Sequence, residues 1–133
     1  MANVAITVTP LDKNVQYRQV ISPSHVSGSF VADDTDNHQA IFDARGKAKI
    51  TVAVDNPANQ TVTANVYGLH ASDGAVGDVG TFLIGTFTVT AAADKGYETI
   101  ADPAPWMLID LSYAVTPTDD PLKTCTLYVD AVN

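Results

Sequence analysis

The chain has 133 residues, 46% of them apolar and only 17% charged, and its 15 Asp and Glu against 7 Lys and Arg give a formal charge of −8. One domain of this size buries roughly two-thirds of its unfolded surface and needs no metal or disulfide to fold. The acidic balance opposes binding to a phosphate backbone, so no nucleic-acid partner is expected, and a single cysteine excludes an internal disulfide.

The opening MANVAITVTPLDK carries neither a basic leader nor a long apolar run, and no run of transmembrane length follows it. The expectation is a chain that stays in the cytoplasm where it is made, or leaves inside a particle, with no membrane partner. Val4, Ile6 and Val8 share one parity, which predicts a strand near 3–9. Further strands are expected near 14–21, 26–31 and 38–43. DARGK (43–47) reads as a turn before KAKITVAVD, which turns Ile50, Val52 and Val54 inward over 47–55. DNPANQ (55–60) connects to TVTANVY, where Val62, Ala64 and Val66 repeat the pattern over 61–68. In the strand at 81–90, Phe82 and Ile84 lie on one parity and Phe87 and Val89 on the other, which predicts a β-bulge at Gly85. TAAADKG (90–96) is too short for a helix, and its DKG reads as a hairpin-like link. MLIDLSYAV places Met107, Ile109, Leu111, Tyr113 and Val115 on one face of a strand at 106–115. TPTDDP (116–121) reads as a second hairpin-like link. KTCTLYVDAV places Cys125, Leu127, Val129 and Ala131 together at 123–132, so the thiol is expected to be buried and inert. Eight or nine strands in a single domain spanning 1–133 predict an all-β antiparallel sandwich of the jelly-roll kind, with an immunoglobulin-like sandwich as the alternative.

Chemistry-bearing residues are sparse. DDTDNH (Asp33–His38) gathers three carboxylates, an amide and an imidazole, as a hard cation would require, but it lacks the glycine and the distal glutamate of a calcium loop and reads first as a solvated loop. His25, His38 and His70 form no zinc-type pair, and no nucleophile elbow is present, so neither a metal, a cofactor nor catalysis is expected. Asn59-Gln60-Thr61 fits a glycosylation sequon and is read as chance. GLHASDGAVGDVGTF (68–82) lies between two strands, not before a helix, and reads as an exposed contact loop instead of a phosphate cradle. Trp106, after two prolines in DPAPWMLID, is either a packed core-edge residue, an interface anchor or a sugar-stacking platform. Tyr17, Tyr67, Tyr97, Tyr113 and Tyr128 fall on separate segments and form no local aromatic patch.

The C-terminal half, from NQTVTANVYGLHA through GTFLIGTFTVTAAADKGYETIADPAPWMLIDLSYAVTPTDDPLKTCTLYVDAV, resembles small β-sandwich virion proteins of tailed bacteriophages, in particular capsid decoration or cement proteins. The resemblance covers roughly Asn59 to Val132 and brings no catalytic motif with it. It implies a virion protein on the capsid surface, a homotrimer whose partner is the major capsid protein and which stabilises the shell by non-covalent clamping. The arm Met1, Ala2 and Asn3, the loop residues Asp73, Gly74, Ala75, Val76, Gly77 and Asp78, and Trp106 are then the expected contacts, since termini and glycine-rich loops order cheaply against a partner. The alternative is a tail or host-facing sandwich that binds cell-surface glycans through Trp106 and nearby tyrosines.

Overall fold

A computed structural model describes residues 2–10, 25–69, 81–92 and 94–132. Within them the chain forms ten strands: β1 (Asn3–Ala5), β2 (Thr9–Pro10), β3 (His25–Val31), β4 (Asn37–Asp43), β5 (Lys49–Asn56), β6 (Val62–Leu69), β7 (Phe82–Val89), β8 (Asp94–Ala101), β9 (Trp106–Tyr113) and β10 (Thr124–Val132). They make two five-stranded sheets, one in the order β1-β4-β9-β6-β7 and the other in the order β2-β3-β10-β5-β8.

The pairing explains the order. β3 pairs with β10, β4 with β9, β5 with β8 and β6 with β7, all antiparallel, so the eight long strands behave as one long hairpin. That ribbon is rolled up until β10 also meets β5 and β6 also meets β9. The expected all-β antiparallel sandwich is confirmed. The core lies between the sheets and is built from the alternating residues expected of it. Ile50, Val52, Val54, Val62, Ala64, Val66, Met107, Ile109, Leu111, Tyr113, Cys125, Leu127 and Val129 are all essentially inaccessible. Burial pushes the Cys125 thiol up to about 11, although the Tyr113 hydroxyl opposes it, so the buried, unreactive thiol is borne out. The bulge is present too. Val66 pairs with Gly85 and Tyr67 with Leu83, which leaves Ile84 as the extra residue.

Some expectations fail for identifiable reasons. The strand at 3–9 is two short strands in different sheets, because the chain crosses the sandwich at Ile6; Ile6 is buried while Val4 is exposed. Val115 lies beyond the end of β9 and is exposed. DKG is not a link but the start of β8, an edge strand whose only buried residue is Ile100. Gly96 is needed there for close approach, because a Cβ at that position would sit 2.8 Å from Val89 Cγ2. The glycine that does make a turn is Gly46 in DARGK, at φ 77°. TPTDDP carries the chain from one sheet to the other and so is not a hairpin-like link; DNPANQ connects β5 to β6 as expected, and it too crosses between the sheets. The expected strand at 14–21 lies outside the described residues.

A buried polar node fixes the sheet-to-sheet crossing after β5. Asn56 is fully buried; its Nδ2 donates to the carbonyls of Gln60 (2.8 Å), Val89 (3.1 Å) and Thr90 (3.1 Å). Its Oδ1 accepts from Tyr113 Oη at 2.7 Å and from the Ala58 amide at 3.3 Å. Nearby, Asn59 is tied to the β9–β10 connection: its amide donates to Asp119 Oδ2, its Nδ2 donates to Thr118 Oγ1, and its Oδ1 accepts from the Thr118 amide, each at 3.0 Å. The side chain that could have carried a sugar is thus a structural clasp.

Candidate functional site

Among the described residues, the most exposed aromatic side chain, Tyr97, stands on the outer face of the second sheet. Strand register fixes which side chains stand together there. Thr9 pairs with Ser27, Ser27 with Tyr128, Tyr128 with Ala53, and Ala53 with Tyr97, so one row crosses the sheet with two tyrosines flanking an alanine. Alternation sends all of them outward, because their neighbours Val52, Val54, Leu127 and Val129 fill the core. Tyr97 is 72% exposed and Tyr128 40%. Between them lies an open groove of about 560 Å³, lined by Ala53, Val54, Asp55, Lys95, Gly96, Tyr97 and Tyr128.

The rows on either side are polar. One holds Thr126, Asp55 and Lys95 in register. The other holds His25, Asp130, Thr51 and Thr99. In that row Thr51 and Thr99 share a hydroxyl hydrogen bond of 3.1 Å, and His25 Nδ1 lies 2.8 Å from Asp130 Oδ1. Two exposed tyrosines on either side of a small apolar residue, edged by hydroxyl, carboxylate and ammonium groups, offer both apolar contact and hydrogen-bonding capacity. The expectation that the tyrosines form no patch is therefore corrected for Tyr97 and Tyr128. They belong to strands far apart in sequence, and only the register of β5 between β8 and β10 brings them together.

The sites expected from the sequence fare differently. Trp106 is half-buried and stands on the opposite sheet, paired with Asp43 and Leu69. The Arg45 guanidinium lies 4.6 Å above its ring. Asp43 holds that guanidinium, accepting from Arg45 Nε at 2.9 Å and Nη2 at 2.8 Å, and the Arg45 hydrogen bonds keep the Asp43 carboxyl below the usual carboxylate range. Trp106 is thus a packed residue with a partner on its face, and it is not joined to the tyrosine groove. Ala2 and Asn3 form no free arm. The Asn37 amide donates to the Ala2 carbonyl at 2.9 Å, Asn37 Nδ2 donates to Asn3 Oδ1 at 3.2 Å, and β1 runs parallel to β4. Met1, His70 and the loop residues Asp73, Gly74, Ala75, Val76, Gly77 and Asp78 lie outside the described residues.

Several polar groups of the Asp33–His38 segment are used internally. His38 is buried, stacked on Phe30 at 3.9 Å between ring centroids, with Nε2 2.9 Å from Asp34 Oδ1. Burial works against the Asp34 carboxylate, but the hydrogen bonds from His38 and the Asp36 amide outweigh it and hold its pKa below the ordinary value. Asp36 Oδ1 in turn receives the Ala2 amide at 3.3 Å. Among the described residues, no group of three His, Cys, Asp or Glu side chains is placed to hold a metal ion. One buried carboxylate has no local sequence signal: Asp110, on the outer face of β9, receives Gln39 Nε2 at 3.0 Å, and burial pushes its pKa up.

No protein-family model matches the chain, and no curated protein does. Among solved structures it is similar to PliG of Aeromonas hydrophila, a periplasmic lysozyme inhibitor of g-type lysozyme, at 18% identity over 98% of this chain and 96% of that one, with a TM-score of 0.46. It is also similar to a CBM4 structure, at 13% identity over 82% and 68% of the two chains, with a TM-score of 0.40. A third likeness is to the enzymatically active domain of tailspike protein 4 from bacteriophage CBA120, at 10% identity over 99% of this chain but only 18% of that one, with a TM-score of 0.49. At these identities and TM-scores the likenesses carry no functional argument.

Proposed function

We propose that the protein is a non-catalytic binding module whose ligand is a glycan, held on the outer face of the second sheet. The observation that carries this reading is the Tyr97–Ala53–Tyr128 row with its groove and polar edges. Aromatic faces offer a sugar's C–H surface an apolar partner, while the flanking hydroxyl and charged side chains answer its hydroxyl groups. Single exposed apolar residues are ordinary on any protein surface, but two large rings flanking a shared groove are not a scatter. The resemblance to virion proteins supports a phage particle as the setting. The open aromatic face supports a host-facing position over a shell clamp, since the arm expected to grip the shell is already hydrogen-bonded to β4 at Ala2 and Asn3.

The test is binding to a glycan array, followed by titration calorimetry on the best glycan with the wild type, Tyr97→Ala and Tyr128→Ala. Losing one wall removes roughly 50 Å² of apolar contact, about 1.3 kcal/mol at 25 cal/mol per Å², so each single change is expected to weaken Kd about tenfold. Failure of the wild type to bind any glycan, or full binding by both variants, refutes the reading.

A further inference from the structure

Resting on that reading, we propose that the groove selects neutral glycans built from all-equatorial pyranoses, of gluco or xylo configuration, with one sugar ring standing upright between Tyr97 and Tyr128 on the floor formed by Ala53.

The spacing argues for two walls instead of one flat platform. Tyr97 and Tyr128 rise from strands on either side of β5, two strand spacings or about 10 Å apart. A ring gripped on both faces needs about 3.5–4.0 Å to each wall, hence about 7–8 Å between the aromatic planes. Side chains leaning inward by about 1 Å each close that difference. The floor residue must be small, and Ala53 is the one side chain between the two tyrosines in that row.

A two-walled slot discriminates by stereochemistry. In an all-equatorial pyranose, both ring faces present only axial C–H bonds, so both walls meet apolar surface. An axial hydroxyl, as in the galacto and manno configurations, is driven against one wall with no hydrogen-bond partner, and burying a hydroxyl in that way is unfavourable. A single platform would tolerate such a group on its far side; a slot does not. The equatorial substituents of the upright ring radiate in the plane of the ring, and some of them point along the strand direction. There they meet the two polar rows, Asp55 and Lys95 on one side, Thr51 and Thr99 on the other. The formal charge of −8 disfavours polyanionic glycans at long range.

The experiment is calorimetry on the full chain with β-1,4-linked gluco-, xylo-, manno- and galacto-oligosaccharides and one uronic-acid polymer, repeated for the gluco series with Ala53→Val. The expected result is binding of the gluco and xylo series, with the manno, galacto and uronic ligands weaker by about tenfold or more. Ala53→Val, a favourable strand residue on an outer face, is expected to cost a similar factor with an unchanged melting temperature. Equal or tighter binding of the manno, galacto or uronic ligands overturns the stereochemical and charge selection while leaving the module reading intact. A folded Ala53→Val with full affinity overturns the slot. The wild-type ligand series decides the question even should that variant fold poorly. Binding of no glycan at all falls on the module reading itself.

Discussion

The two sheets each carry an aromatic feature on their outer faces, and the two are in opposite states. On the first sheet, the Trp106 ring is half-buried and covered by Arg45, which Asp43 grips through two side-chain hydrogen bonds. On the second sheet, Tyr97 and Tyr128 have no such partner among the described residues, and the groove between them is open. Judged by residue type alone, the tryptophan is the stronger candidate, since tryptophan leads the residues enriched at binding hot spots. Judged by what each ring already touches, the order reverses. A ring face spent on a guanidinium must first be uncovered, whereas an open face with polar edges is ready for a ligand.

The largest expected effect tests whether the two faces share one frame. Asn56→Ala removes the buried amide that satisfies three carbonyls and receives the Tyr113 hydroxyl. It is expected to cost about 3 kcal/mol, since unpaired buried polar groups cost about 1–3 kcal/mol each, and to lower Tm by roughly 10 °C. Trp106 fluorescence and glycan binding should be lost together in one transition. Separate transitions would mean that the faces belong to independently folding parts.

Next in size is Trp106→Ala. Complete burial of a tryptophan makes its truncation cost about 3–5 kcal/mol, and a half-buried ring is expected to cost about half that by denaturant melts. Glycan affinity should change less than about twofold. Loss of binding here, with binding kept in the tyrosine variants, would reverse the comparison.

The smallest effect is a pH response confined to the first sheet. The Arg45 hydrogen bonds depress the folded-state pKa of Asp43. A depressed carboxyl contributes stability that is fully present above its unfolded pKa and is lost as pH falls through the folded one. The cover over Trp106 should therefore hold from neutral pH down to about pH 4. Trp106 emission should shift only below that, as Asp43 takes up its proton. Arg45→Ala should produce the same emission change at neutral pH without altering glycan affinity. A shift of Trp106 emission centred well above pH 4 would contradict the assignment of Asp43 as the group that fixes Arg45.

Much of the frame was legible because burial on one face writes a period of two. β5 and β10 alternate cleanly and β6 does so up to its last residue, while in β9 Met107, Ile109, Leu111 and Tyr113 keep the core parity although Leu108 and Asp110 are buried on the other face; the parity change at Gly85 marks a real bulge. β8 was not legible because an edge strand with one buried residue writes almost no period, and Asp-Lys-Gly imitates a turn. Val4 and Val115 misled because a shared parity means a shared face only while the chain stays in one strand. The candidate site was hidden for a different reason. Tyr97, Ala53 and Tyr128 meet through the pairing of non-consecutive strands, and no local pattern records which residue of β5 lies opposite which residue of β8 and β10. Trp106 stood out in the sequence as the only tryptophan, but its cover by Arg45 depends on a turn whose geometry the local pattern does not record.

The central claim is that the tyrosine face, and not the tryptophan face, takes a glycan. Titrating an isotope-labelled sample with a β-1,4-linked gluco-oligosaccharide and following its amide and aromatic resonances tests this most directly. The expected shifts centre on Ala53, Tyr97 and Tyr128 and extend to Thr51, Asp55, Lys95 and Thr99, with the Trp106 indole and the Arg45 side chain unmoved. Shifts centred on Trp106 and Arg45, or no shifts at all at saturating sugar, would contradict it.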